Sequence, residues 1–424
     1  MPHMASPWTV TQGFKHTVRR ISRSQGGVRK ASFIVLIGGG LGLGISTLLT
    51  PLITRIFDPA VYGTFALISS VTAVFVGIST FRLEVQAQKV ADDAEASALI
   101  RLGFVASCAW GATLTAAAVI AVALWHVNAY WQSMGVLVTL ASLQLLGTAV
   151  LTRERRYRCL SIANFIQGAS LGIVQVLLGL VSAGVGSLLA GFGAARLCWI
   201  PSLRQPGNKR PKLAAVLREN RRFAATAGSS AFINSLTTVL PVLLITFFYG
   251  AAAAGELAIA VRILVVPLGV IGSAAGSAAV GEVGYLLRSG DRTAARVVRS
   301  GMRDLLAFGL IPCGLAAALS VWAIPFILGT AWRGAGQMLA LLSAGALAQF
   351  VVAPYSLLLS MTGRNRSLLM WDTGRFCATV LSFSVPQELG LPSVWAIGTY
   401  SAAMVGVYCA LAWIIIRAVA AYVA

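Results

Sequence analysis

Seven ionisable side chains lie within, or at the ends of, apolar runs long enough to cross a bilayer: Arg55, Arg82, Glu84, Arg196, Arg262, Asp372 and Arg375. A charge in hydrocarbon is costly, and where it occurs it marks a candidate site. The chemistry these residues offer is recognition rather than catalysis. Guanidinium groups bind phosphate oxygens bidentately and stay charged at any physiological pH. Arg196 falls near the middle of GFGAARLCWIP and Arg262 about two turns into LAIAVRILVVP, each without an acid within a turn on its own helix. An unpaired cation at that depth needs water, carbonyl groups or an anion. This is the basis for expecting a water-filled cationic cavity suited to an anionic amphiphile, its phosphate inside and its tail in the bilayer. Asp372 and Arg375 are three apart in MWDTGRFCA, on one helix face and able to pair. That pair reads either as structural or as functional. The spans hold almost no acid, and Asp372, the exception, is the candidate for H+ or Na+ coupling. Arg55, Arg82 and Glu84 stand at run ends, where snorkelling interfacial residues and site residues look alike.

No catalytic constellation accompanies them. The histidines are His3, His16 and His126, none beside a triad partner or in a metal-ligand spacing. His126 sits with Trp125, Tyr130 and Trp131, a cluster that fits an interfacial aromatic belt better than a sugar-stacking site. The run GGGLGLG at 38–44 has neither a Gly-Lys-Ser/Thr continuation nor a preceding strand, so it reads as close helix packing rather than a phosphate loop. Cys108, Cys159, Cys198, Cys313, Cys377 and Cys409 form no CxxC and read as small apolar packing residues. No cofactor or metal is expected.

These charges are carried on helices. Of 424 residues 57% are hydrophobic and 11% charged, with mean hydropathy +0.81; a soluble domain carries about 25% charged residues. The long uninterrupted apolar runs exclude a transmembrane barrel, whose strands alternate over ~10 residues. The sequence therefore predicts an all-α integral membrane protein with twelve spans: 31–54, 60–81, 99–124, 133–152, 161–181, 184–203, 223–248, 257–281, 302–326, 335–361, 367–386 and 391–417. Of the 33 Lys and Arg residues, 28 fall on one alternating set of connections, with Arg55 and Arg333 in the other loops. By the positive-inside rule both termini are cytoplasmic, and the net charge of +20 reflects topology rather than nucleic-acid binding. Residues 1–30 form a basic cytoplasmic tail, either a topological signal or an amphipathic arm on an anionic leaflet. The polar segment 204–222, with Pro206, Gly207 and Pro211, divides an N-lobe (31–203) from a C-lobe (223–424), six helices each. A faint repeat agrees: a shift of 192 residues superposes Ile53 on Ile245, Thr54 on Thr246, Gly63 on Gly255, Ala66 on Ala258, Val74 on Val266 and Gly77 on Gly269. Six being even, the halves run parallel, related by an axis along the membrane normal.

The segments LLTPLITRIFDPAVYGTFALISSV, TFRLEVQAQKVADDAEA, AIAVRILVVPLGVIGSAAGSAAVGEV and ILGTAWRGAGQML resemble the Wzx-type polysaccharide (O-antigen) flippases of the multidrug/oligosaccharidyl-lipid/polysaccharide exporter (MOP) superfamily. The resemblance covers nearly the whole chain from about residue 31. It implies a non-enzymatic transporter in the bacterial inner membrane that moves an undecaprenyl-pyrophosphate-linked glycan by alternating access, for surface polysaccharide or lipopolysaccharide biosynthesis. Membrane lipids surround such a protein, and glycosyltransferases and a polysaccharide polymerase are its implied partners. In the related lipid II flippases, cavity arginines on the first, second and eighth helices matter. Arg262 matches best; Arg55 lies in TRIFDP and Arg82 in FRLE, while Arg196 and Arg375 rest on depth alone. The scarcity of acids in the spans departs from an ion-coupled pattern. The rivals are a multidrug exporter of the same superfamily, which calls for an acidic cavity, a glycan polymerase or ligase, which calls for a long outer loop, and a major-facilitator transporter, whose loop motif RLEVQAQKVADDAEA does not supply.

Overall fold

A computed structural model describes residues 34–126, 128–203, 213–289 and 291–422. The first half contains α1 (Ile34–Ile56), α2 (Pro59–Ser79), α3 (Asp93–Trp125), α4 (Met134–Arg153), α5 (Tyr157–Val181) and α6 (Val185–Ala194, prolonged by a 3-10 segment, Leu197–Leu203). In the second half the stretch Leu213–Ala260 is broken at Gly250, whose φ of 85° is open to glycine at little cost. This separates α7 (213–249) from α8 (251–289), and α8 includes a π-helical turn, Val261–Val265. There follow α9 (Ala294–Leu328), α10 (Arg333–Val352, extended through Leu357–Met361), α11 (Asn365–Glu388) and α12 (Ser393–Tyr422).

Over their described residues the twelve expected spans are all helical, although nine qualify as spans by length and hydropathy alone. Named residues account for the difference. The helix of α6 is cut short at Ala195–Arg196, α7 and α8 read as one until Gly250, and α11 carries Arg366, Asp372 and Arg375. Residues 213–222, expected within the connecting segment, are instead the first turns of α7. Val216, Asn220 and Ala224 are buried at helical spacing while Arg218, Glu219 and Arg221 are exposed, a one-sided pattern that helix formation satisfies. The tail 1–30 and the rest of the connection, 204–212, lie outside the described residues.

Alternation of the helices gathers the segments 82–101, 153–158 and 364–366, which together carry nine Lys and Arg residues, at one end, the basic end. Large apolar side chains face outward along the rods; Leu48, Val181, Phe247 and Phe326 are each at least 80% exposed. In water such a surface would be a liability, whereas in a bilayer it is the solvent contact.

At the end opposite the basic one, the halves meet along a seam between α2 and the start of α8. A methyl group at Gly63 would overlap the Ala251 carbonyl, and one at Gly255 would overlap the Pro59 carbonyl. The shift of 192 residues carries Pro59 to Ala251 and Gly63 to Gly255, so the contact is reciprocal, as a two-fold axis requires. The faint repeat is therefore a structural one, and its glycines are kept because the backbones touch there. Ile53, Phe57, Tyr62 and Phe65 of the first half share one buried core with Ile245, Leu257, Leu264 and Trp332 of the second. The Trp332 indole Nε1 donates across the seam to the Thr54 carbonyl at 2.8 Å.

Toward the basic end the symmetry breaks. Gly77 of α2 packs on Ala231 and Ser235 of α7, whereas a methyl at its counterpart Gly269 in α8 would meet nothing within 4 Å. Likewise Val74 is 5% exposed and its counterpart Val266 39%. A smaller core of Leu83, Leu99, Leu146, Val150, Val216 and Ala224 joins α7 to the first half at this end.

Candidate functional site

The left-handed backbone that ends α2 sets the first wall of the site. After the C-cap Thr80, Phe81 and Arg82 have φ of 51° and 58°, a conformation that costs non-glycine residues roughly 1–2 kcal/mol each. The turn leads into a short helix, Leu83–Ala87, with Arg82 at its N-cap. Glu84 is buried beside it, accepting from Thr80 Oγ1 at 2.6 Å, with its other oxygen 3.8 Å from the Arg82 guanidinium. Arg153 braces the same segment from α4: it donates to the Ala87 and Val90 carbonyls at 2.7 and 2.6 Å and pairs with Asp93 at 2.6 Å. No spacing in the sequence points Arg153 to these carbonyls.

The second wall is α11. Arg375 lies 3.7 Å from Asp372 and over the face of Trp371, 5.0 Å from the ring centre. Trp371 is itself fixed, its Nε1 donating to the Val407 carbonyl at 2.9 Å and its ring packed on Tyr408 at 5.5 Å. The aromatic face and the carboxylate thus orient the guanidinium from two sides. Its Nε is buried and has no hydrogen-bond partner among the described residues.

Arg82, Phe223, Asn234, Thr237, Asp372 and Arg375 line one cavity of about 1080 Å³. Of the six residues singled out from the sequence as substrate or ion contacts, the structure brings three together here. Two guanidinium groups, one from each half, line the cavity, and each has a carboxylate beside it, Glu84 at Arg82 and Asp372 at Arg375; guanidinium groups so placed can bind a phosphate-bearing ligand. Arg375 and Thr237 also border an enclosed cavity of about 280 Å³, whose wall includes Gln349, Thr379, Tyr400 and Tyr408. These polar residues were missed because each is common in helices; the one available signal was Trp371 four residues before Arg375, a spacing that stacks side chains on one helix face.

The other three candidates lie elsewhere. Arg262, on the π-turn of α8, points into the seam and donates to Tyr62 Oη at 2.9 Å, the Ser46 carbonyl at 2.9 Å and Ser46 Oγ at 2.7 Å. It ties α8 to α1 and α2. Arg196 sits where α6 gives way to its 3-10 extension, donating to the Phe192 carbonyl and lying 3.6 Å from the Phe192 ring centre. A cation there satisfies a carbonyl left open by the helix end and complements the helix dipole. Arg55 is exposed in the last turn of α1, at the far end from the cavity.

A family model described as polysaccharide biosynthesis protein matches residues 52–337. No curated protein matches by sequence. Among solved structures, a lipid II flippase, MurJ, in an inward closed conformation superposes with a TM-score of 0.66 at 11% identity, over 91% of this chain and 87% of that one. A MATE protein in complex with MaL6 gives 0.63 at 12% identity over 93% and 97%. A MOP superfamily transporter from Pyrococcus furiosus, described as having a binding pocket of reversed polarity, gives 0.61 at 12% identity over 93% and 96%. At these identities the likeness is one of fold.

Proposed function

Because this chain belongs to the polysaccharide biosynthesis protein family and has the fold of MOP superfamily transporters, we propose that it is a flippase for undecaprenyl-pyrophosphate-linked oligosaccharide in the bacterial inner membrane. In this reading the basic end is cytoplasmic, and its arginines raise the local concentration of the anionic head. The head enters the cavity, its pyrophosphate held between Arg82 and Arg375 and its sugars in the aqueous interior. Closure of the basic end and parting of the glycine seam then deliver it outward. Glycosyltransferases would supply the substrate and a polymerase would consume the product.

The observation that carries the reading is the meeting of Arg82 and Arg375, from opposite halves, on one cavity. A ligand that bridges them draws the halves together, which couples binding to closure. Asp372 holds the Arg375 guanidinium in competition with phosphate, so a proton or Na+ on Asp372 would free it; this is the coupling role we assign. Arg262, Arg196 and Arg55 have other surroundings in this conformer and are assigned no contact with the pyrophosphate in it.

The test is flipping of a fluorescent short-chain polyprenyl-pyrophosphate disaccharide in proteoliposomes. Loss of one charge-assisted hydrogen bond is worth about 1.5–3 kcal/mol, so Arg82→Ala and Arg375→Ala should each slow flipping by ~10- to 100-fold. If both variants flip at the wild-type rate, the site is wrong. If the wild type moves cationic dyes and not the glycolipid, the multidrug-exporter reading, which Asp372 favours, replaces this one.

A further inference from the structure

The half-open trough between α8 and α10 is a second subsite: we infer that it holds the isoprenoid chain of the transported amphiphile while the pyrophosphate lies at Arg375, an inference that rests on the function proposed above. Three cavities adjoin through shared wall residues. The large cavity shares Thr237 and Arg375 with the enclosed one, and the enclosed one shares Val265, Ala346 and Gln349 with the trough, about 340 Å³ in volume. The trough is the most apolar of the three. The trough is lined by Val265, Leu268, Gly269, Phe350, Ala353 and Pro354 among others, and Ser273 turns its hydroxyl back onto the Val270 carbonyl at 2.8 Å. A charged mouth joined to an apolar channel matches a ligand with an anionic head and a hydrocarbon tail.

The internal repeat gives an independent argument. The counterpart of this face in the first half, Val74 and Gly77, is covered; Gly77 packs on Ala231 and Ser235 of α7. The α8 copy has the same small and apolar residues, Val266 and Gly269, and no such cover. An apolar face built to be packed is thus left bare next to the arginine. A chain that leaves bilayer hydrocarbon for this face gains little from the hydrophobic effect, since lipid tails are equally apolar. What the trough supplies is alignment of the chain behind its head, so its effect falls on the transport rate of long-chain substrates.

Gly269→Leu tests this. Gly269 lines the trough and a Cβ there meets nothing within 4 Å, so the new side chain starts in free space. Gly269→Ala is the control, since a single methyl leaves most of the trough open. Proteoliposomes would be assayed with undecaprenyl- and citronellyl-pyrophosphate disaccharides. We expect Gly269→Leu to slow the undecaprenyl substrate about tenfold relative to the citronellyl one, the equivalent of ~1.4 kcal/mol, with Gly269→Ala near wild type. In the wild-type protein, a diazirine on the isoprenoid chain should label α8 and α10 peptides, and unlabelled substrate should displace it. Equal slowing of both substrates would make the trough the seat of α1 in another conformer, and no slowing of either would leave it without a role; each result overturns the inference. So does labelling by a diazirine phospholipid that substrate does not displace. A wild-type protein that flips neither glycolipid refutes the proposed function itself, a failure distinct from these.

Discussion

The reciprocal glycine contact makes a quantitative prediction. Gly63→Ala places a methyl group against the Ala251 carbonyl, and Gly255→Ala places one against the Pro59 carbonyl. Both obstacles are backbone, so no side chain can rotate away, and the seam must open. Overpacking of this kind costs roughly 1–3 kcal/mol. The helix-propensity gain of up to ~1 kcal/mol for Ala over Gly applies in both conformers and cancels. At about 2 kcal/mol, the ratio of seam-closed to seam-open molecules falls ~30-fold for either single variant. The double variant is the sharper test. Either methyl alone already parts the two backbones, so the second adds little, and the double-mutant cycle should show a coupling of about 1 kcal/mol or more. The populations can be read by electron–electron spin resonance distances between labels at Leu124 and Leu389, both exposed, one in each half at the end that carries the seam, with the native cysteines replaced. Gly314→Ala, where a methyl meets nothing within 4 Å, is the control. Additive shifts in the double variant, or singles that match wild type, would refute the reciprocal seam.

Two further outcomes follow from individual side chains. Arg262→Gln cannot span Tyr62 and both Ser46 acceptors, which the guanidinium reaches at 2.7–2.9 Å; at ~1.5–3 kcal/mol for a charge-assisted bond, the same spin-label distances should shift toward the seam-open population even without substrate. Arg153→Ala should leave the Leu124–Leu389 distances alone but unpin the Ala87–Asp93 segment, seen as faster amide exchange there, because its two carbonyl contacts and its Asp93 pair are lost.

Some of the site was legible in the sequence and some was not. Asp372–Arg375 was, because three residues on one helix fix both depth and face. Arg82 was legible as a charge at a helix end, but its aim depends on the left-handed turn at Phe81–Arg82, for which no glycine gives warning. Arg262 and Arg196 were found by depth, yet depth alone does not separate a residue in a cavity from one in a seam or at a helix break. Trp371, Thr237 and Gln349 carried no signal strong enough to single them out.

Composition and charge placement along the chain are enough to set the class, the twelve helices and the gathering of cations on alternate connections. These follow from transfer energetics: a run of apolar residues of given length is stable in hydrocarbon whatever it packs against, and Lys and Arg stay with the cytoplasmic loops. Which charges meet is set by packing. Arg82 and Arg375 are some 290 residues apart in the chain, and residue spacing fixes height along each helix but not rotation toward a distant one. The repeat shows the same division. The 192-residue shift was readable, but that Gly63 and Gly255 touch while Gly77 is covered and Gly269 is bare is set by how two similar halves dock, and a docked pair need not keep its symmetry at both ends.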